Sequence, residues 1–266
     1  MSTTPASPPP RREPVGPQPG RLPLREVDRR SGDVWHSMRR YFIDEFFTRR
    51  VAELPNGARV ADIGGKKARK RGAFDIEREV AARGLRVSYI NLDPATEPDI
   101  LADACDIPAP DGSFDAVILA EIVEHLPDPG AALREASRLL RPGGVLLATA
   151  PFCYQIHPDP IDIARYTPDW WRRALAGAGL DTVELEPQGR YFSVLVDMLR
   201  AWACWAEQTG AWPPGLRTPA FGFLEWARET AHQLDDNHAM TRDEFFGSFT
   251  TGFGVRAVKP GPERDA

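Results

Sequence analysis

FDAVILAEIVEHLPDPGAALREASRLLRPGGVLLATAPF, residues 114 to 152, decides the fold. An apolar strand, Val117 to Ala120, ends at Glu121. A helix follows with alanines and leucines at helical spacing, and Arg141-Pro142-Gly143-Gly144 punctuates the chain before a second buried strand, Val145 to Ala150. Two buried strands joined by a helix are half of an open α/β sheet. Ligands of such sheets sit beyond the carboxyl ends of the strands, so Glu121, Glu124, His125 and the segment after Ala150 are predicted to face one crevice.

The same rhythm extends in both directions. ARVADIGG predicts strand one, FDIEREVAARG a helix closed by Gly84, RVSYINLD strand two, and Ile100 to Ala104 a short strand three before the turn PAPDGS. After strand five, TPDWWRRALAGAGL reads as a helix opened by Thr167-Pro168, TVELEP as strand six and FTTGFGVRAVK as the last strand. The pattern implies an α/β, Rossmann-like doubly wound, mostly parallel seven-stranded sheet with a helical insertion, residues 192–246, before the last strand. Residues 1–30 hold eight prolines and six arginines with few bulky apolar residues, and are expected to form a disordered tail ahead of one domain, 31–266. From Asp33 the chain becomes amphipathic, with Trp35, Met38, Phe42 and Phe46 at helical spacing. This helix and the insertion are expected to cover the crevice.

A 42% hydrophobic content is enough for a sizeable core in 266 residues. The formal charge of −5 gives no general attraction to nucleic acid or to an anionic membrane. Three scattered cysteines, Cys105, Cys153 and Cys204, and a start without a charged-then-apolar segment point to a reducing cytoplasm. No apolar run approaches the ~20 residues of a membrane span.

The acidic residue after strand four, then EHL, DP, a helix, LLRPGG and an apolar strand resemble the class I S-adenosylmethionine-dependent methyltransferases, in particular their small-molecule, type 11-like branch. The resemblance covers roughly residues 58 to 184 and a last strand near 249 to 258. It implies that S-adenosylmethionine is the cofactor, that Asp62, Gly64 and Gly65 form the first cofactor loop, that Asp103 and Ala104 meet the adenine, and that Ala120 and Glu121 border the methyl-donor channel. Asp93, at the end of strand two, stands where a carboxylate can accept both ribose hydroxyls, although a turn residue before Pro94 reads the same way. The first loop departs from the family pattern, because Lys66 takes the place of an alternate glycine. The cations from Lys66 to Arg71 fit either an anion site at a helix start or a solvated loop.

Two constellations carry chemistry. On a helix, Glu121, Glu124 and His125 fall at i, i+3 and i+4 on one face, and with His157 could hold Mg²⁺ or Mn²⁺, as in metal-assisted methyltransferases acting on catechols or on RNA 3'-terminal ribose. Alternatively His125 orients its loop, and His157 takes the acceptor's proton as general base. HPDPIDIARYT, His157 to Thr167, resembles a segment of methyltransferases tailoring sugars and polyketides. Arg165 and Tyr166 would orient substrate there, unless Asp162 and Arg165 simply fix the loop as an ion pair. Trp202 and Trp205 offer flat walls for a substrate or fill core. His232, Asp235, Asp236 and His238 read as an exposed loop. The function expected is methyl transfer to oxygen, or else nitrogen, of a small polar metabolite. The rivals are a degenerate fold serving as a binding or scaffold module, and an RNA ribose methyltransferase, which the net acidity opposes.

Overall fold

The computed structural model describes residues 37–67, 76–158 and 160–261. The amino-terminal tail and most of the basic run, from Ala68 onward, lie outside the described residues. In order, the elements are α1 (Met38–Val51), β1 (Arg59–Ile63), α2 (Ile76–Arg83), β2 (Arg86–Asn91), β3 (Ile100–Leu101), β4 (Phe114–Ala120), α3 (Pro129–Leu139), β5 (Leu140–Pro151), α4 (Pro168–Gly177), β6 (Asp181–Gln188), α5 (Tyr191–Thr209), α6 (Arg217–Asp235), α7 (His238–Arg242) and β7 (Gly252–Val258). The seven strands form one sheet in the order β3-β2-β1-β4-β5-β7-β6. β7 runs antiparallel to both of its neighbours, Leu147 opposite Arg256 on one side and Leu185 opposite Val255 on the other, while the other pairs are parallel. The doubly wound, mostly parallel expectation therefore holds, with one reversed strand.

Strand alternation feeds two cores. On β4, Val117 and Leu119 join Leu133, Leu139, Trp171 and Leu175 beneath α3 and α4, whereas Ala116 and Ile118 join Phe46, Phe47 and Val51 of α1. Three helix starts are capped by side chains, of which the sequence announced Thr167. Ser37 accepts from the Arg40 N–H at 3.0 Å, Asp128 from Ala131 at 2.8 Å, and Thr167 from Trp170 at 3.4 Å.

The insertion before β7 is held together, and held to α1, by buried carboxylates that accept from helix starts. Asp235, at the end of α6 and 2% exposed, accepts from the backbone N–H groups of Arg190 (2.9 Å), Phe192 (2.9 Å) and Ser193 (3.1 Å) and from the Ser193 hydroxyl (2.6 Å), capping α5 from a distance. Asp197 of α5 does the same for α1, accepting from Met38 N at 2.6 Å and Arg39 N at 2.9 Å. His232 packs edge-on against Tyr41 at 4.6 Å between ring centroids. His232 and Asp235 are thus not part of the exposed loop their polar surroundings suggest, because the imidazole is spent on aromatic packing and the carboxylate on a helix start, whereas Asp236 is exposed.

A further buried carboxylate makes the fold pH-sensitive. Glu186 of β6 is 2% exposed and shares the Arg49 guanidinium with Glu45. Burial pushes its carboxyl up to about 7, with Arg49 opposing and Glu45 adding repulsion. A raised native value means that the folded protein keeps a proton the unfolded chain releases. This contribution to stability is complete below the ordinary value of 4.5 and is lost as pH rises through 7. Glu186→Gln is expected to stabilise the protein by roughly 1–2 kcal/mol at pH 8, about 2–8 °C in Tm, and to do little at pH 5. Equal melting temperatures of variant and parent at pH 8 would contradict this reading.

Candidate active site

The site is assembled where β1, β2, β4 and β5 end. Gly64, immediately after β1, has φ +82°, and a Cβ there would lie 2.1 Å from Ile122 Cδ1; a Cβ on Gly65 would lie 2.3 Å from Asp62 Oδ2. Both positions therefore require glycine, and the first loop folds back tightly over Asp62 despite Lys66. Burial pushes the Asp62 carboxyl up to about 7. Asn91, closing β2, donates from Nδ2 to the Gly65 carbonyl at 3.1 Å and fixes the two loop ends together. Lys67 pairs with Asp99 at 2.5 Å.

Asp93 is exposed; its Oδ1 accepts the Ala95 N–H at 2.9 Å and starts the single turn 94–96. It is a turn residue, as the bland reading had it, and it also presents a carboxylate at the end of β2. Asp103 Oδ1 accepts the Cys105 N–H at 2.9 Å beside the half-buried Ala104, so the third acidic residue likewise holds its own loop at the sheet's edge. Carboxylates at or just beyond the ends of three successive strands, with a tight glycine loop, fit a cofactor with an amino-acid end, a ribose and a base.

Beyond β4 the structure corrects the sequence reading. Glu121 is not on a helix. It follows the half-buried Ala120 with φ +55°, and only a single 3₁₀ turn, Val123–His125, follows. The left-handed residue turns Glu121 away from Glu124. Its carboxylate instead receives the guanidinium of Arg39, from Nε to Oε2 at 3.1 Å and from Nη2 to Oε1, and Arg39 also donates to Gln188 Oε1. Burial pushes Glu121 up, but Arg39 and Arg40 outweigh it and hold the carboxyl below its ordinary range. Glu121 is therefore excluded from the four-ligand set.

Glu124, His125 and His157 do converge, with ligand atoms within 4.8 Å of one another. Nε2 of each imidazole lies 3.7 Å from Glu124 Oε1. The segment 160–167 is pinned against Glu124 by Ile163 N donating to Glu124 O at 2.9 Å, and is stiffened by the Asp162–Arg165 ion pair, so Arg165 braces this loop. Burial raises the Glu124 carboxyl, with His157 opposing. Tyr166 is 8% exposed, stacked at 3.9 Å on Trp170, with its hydroxyl 3.4 Å from Val123 O. Sequence reasoning missed Tyr154, whose ring stands edge-on to His157 at 5.4 Å, and the exposed rim of Ile156, Ile161 and Ile163. An aromatic and three isoleucines in a polar loop were the available signal. Trp202 and Trp205 lie far along α5, 40% and 54% exposed, and Trp202 meets Trp212 edge-on at 5.1 Å. Neither fills core.

An open sheet of this order, with the reversed strand next to last at its edge and a candidate site at the parallel strands' carboxyl ends, defines a Rossmann-like fold. Residues 74–148 match the family described as Methyltransferase domain. Within residues 74–148 the chain is thus similar to this family of methyltransferase domains. It is 34% identical over 104 residues to the 27-O-demethylrifamycin SV methyltransferase of Amycolatopsis mediterranei, covering 35% of this chain and 38% of that relative. It is 40% identical over 67 residues to the ubiquinone biosynthesis O-methyltransferase of a Caulobacter species, covering 25% and 23%. The matched stretches span less than half the length of these relatives. The fold is shared, at TM-score 0.50 and 17% identity over 91% of this chain and 61% of the other, with Haemonchus contortus phosphoethanolamine N-methyltransferase 2 in complex with S-adenosyl-L-methionine. No helix among the described residues is long and apolar enough to cross a membrane.

Proposed function

We propose that the chain transfers the methyl group of S-adenosylmethionine to an oxygen of a small metabolite, of the sugar or natural-product kind, in the cytoplasm. The observation that carries this reading is the meeting at one sheet edge of a glycine-only loop with Asp62, Asp93 and Asp103 on one side and the Glu124, His125 and His157 group on the other. Both curated relatives bear an O-linked site in their names, which supports oxygen over nitrogen.

The cofactor supplies a methyl on a sulfonium, ready for in-line displacement. The protein's part is to hold the acceptor in line and relieve it of a proton, and positioning alone can contribute most of the rate. Asp62, Gly64 and Gly65 would hold the amino-acid end, Asp93 the ribose, Asp103 and Ala104 the adenine, and Ala120 the floor of the methyl channel. Arg39 occupies Glu121, which would then shape that channel rather than bind an ion. The isoleucine rim and Tyr154 form an apolar wall around the polar group, which favours an acceptor with an apolar skeleton and a reactive hydroxyl. His157, or a divalent ion such as Mg²⁺ or Mn²⁺ at the same group, would draw off the hydroxyl proton.

Calorimetry with S-adenosylmethionine and its demethylated product is expected to show one site per chain. Release of S-adenosylhomocysteine with a panel of phenolic and sugar hydroxyls would then identify the acceptor. A chain that binds neither form would not be an enzyme of this kind, and would fit a binding or scaffold module instead.

A further inference from the structure

The group at Glu124 is more specific than a proton acceptor. Glu124 is 0% exposed, and neither of its carboxylate oxygens has a hydrogen-bond partner. The polar atoms it faces are the two imidazole Nε2 atoms, both at 3.7 Å from the same oxygen. The other nitrogen of each ring is already committed. Nδ1 of His125 meets the carbonyl oxygen of Ile161, and Nδ1 of His157 lies 3.2 Å from the carbonyl of Gln155 and 3.1 Å from Asp162 Oδ2. All of these neighbours can only accept, so in each neutral ring Nδ1 carries the proton and Nε2 presents a lone pair. With both rings neutral and the carboxylate ionised, three lone-pair donors converge on one spot beside the buried Glu124. A cation resolves that arrangement.

The spacing suits one. Ligands about 2.1 Å from a tetrahedral ion stand about 3.4 Å apart, close to the separations found here. The surroundings resemble a built metal site as well, since each imidazole is oriented from behind by a carbonyl or carboxylate, and Asp162 is itself 2% exposed and fixed by Arg165 and by the His157 N–H at 2.9 Å. We infer that Glu124, His125 and His157 bind a divalent transition-metal ion of the Zn²⁺, Co²⁺ or Fe²⁺ kind through one carboxylate oxygen and two Nε2 atoms. Two imidazoles favour such ions over Mg²⁺, which prefers an all-oxygen shell. Glu121 is not a ligand, because Arg39 holds it.

Three protein ligands leave positions open for water or an acceptor. The acceptor class that fits is a hydroxyl next to a second oxygen, a vicinal diol or a hydroxyl beside a carbonyl, able to chelate the ion. The bound hydroxyl gives its proton to water; its oxygen forms the new bond to the methyl carbon as the carbon–sulfur bond breaks, and the electron pair stays on sulfur as a neutral thioether. This last step rests on the proposed methyl transfer, whereas binding of the ion does not.

The test is Co²⁺ titration of chelator-stripped protein, read by visible absorption and calorimetry. One ion per chain is expected, displaced by Zn²⁺ and not by Mg²⁺. His125→Ala, His157→Ala and Glu124→Gln should each weaken Co²⁺ binding by more than about 10-fold, Asp162→Asn by about 10- to 100-fold, and Glu121→Gln by less than about 3-fold. Thermal melts of each variant separate loss of ligand from loss of fold; His157, in a loop with its side chain 28% exposed, is the variant least able to unfold the chain. No Co²⁺ or Zn²⁺ binding by the parent, or binding indifferent to the three ligand changes, overturns the inference. Binding of S-adenosylmethionine measured on the same samples shows independently whether the methyltransferase reading stands.

Discussion

Arg39→Met is expected to cost about 3–5 kcal/mol of folding stability, the effect of removing one partner of a buried ion pair and stranding the other. Arg39 is 1% exposed, and its guanidinium joins α1 to Glu121 beyond β4 and to Gln188 at the end of β6. Methionine replaces the aliphatic stem but leaves the Glu121 carboxylate, its side chain 17% exposed, without its guanidinium partner and with only Thr149 and the field of Arg40 to offset the loss. A Cβ on Gly252 would sit 2.2 Å from Arg39 Nη1, so β7 too is shaped to admit this side chain. Urea unfolding measures the loss directly. Adding Glu121→Gln to Arg39→Met should recover a large part of it, because a neutral amide is far cheaper to bury than an unpaired carboxylate. A single-variant loss below about 1 kcal/mol would mean that water reaches Glu121 and that the pair is not the clamp described. The same pair reaches the candidate site, since Glu121 directly follows β4 at the carboxyl end of the sheet, in a left-handed conformation that costs about 1–2 kcal/mol without compensation.

How far the sequence disclosed this molecule depended on the range of the interactions involved. Features set within one turn or one strand were legible. Thr167-Pro168 starts a helix because threonine can cap and proline's fixed φ suits the first turn. The alternation of Ala116, Val117, Ile118 and Leu119 forms a strand buried on both faces. Glu124, His125 and His157 were named because they flank consecutive strands whose ends must adjoin. Partners remote in sequence were not legible. Nothing local to Arg39 marks Glu121, 82 residues on, as its counterion, and nothing local to Asp235 marks the start of α5 as the group it caps. Helical spacing misplaced Glu121 for a definite reason. Periodicity assumes an uninterrupted helix, and one left-handed residue after a strand breaks the phase between Glu121 and Glu124. The reversal of β7 was likewise silent, because an apolar strand reads the same in either direction once an insertion of two long helices separates it from β6.

Asp93→Ala is expected to weaken S-adenosylmethionine binding by roughly 1.5–3 kcal/mol, about 10- to 150-fold in Kd, the range for losing a hydrogen bond to a charged group. The carboxylate is exposed at the end of β2, where a ribose bound across the sheet's crevice would lie, so it can take up two hydroxyls without first being freed from a buried partner. Its Oδ1 already accepts the Ala95 N–H at 2.9 Å, and a carboxylate has lone pairs enough for both duties. That second duty supplies the control. Asp93→Asn keeps a side-chain oxygen for the Ala95 N–H but gives up the charge, so it should melt with the parent while binding the cofactor with intermediate affinity. If the alanine and asparagine variants both bind as tightly as the parent, Asp93 is a turn residue only. If alanine lowers Tm and affinity together while asparagine lowers neither, the carboxylate matters for the turn and not for the ribose. Only the graded order, parent above asparagine above alanine at constant Tm for asparagine, identifies a charge-assisted grip on the cofactor.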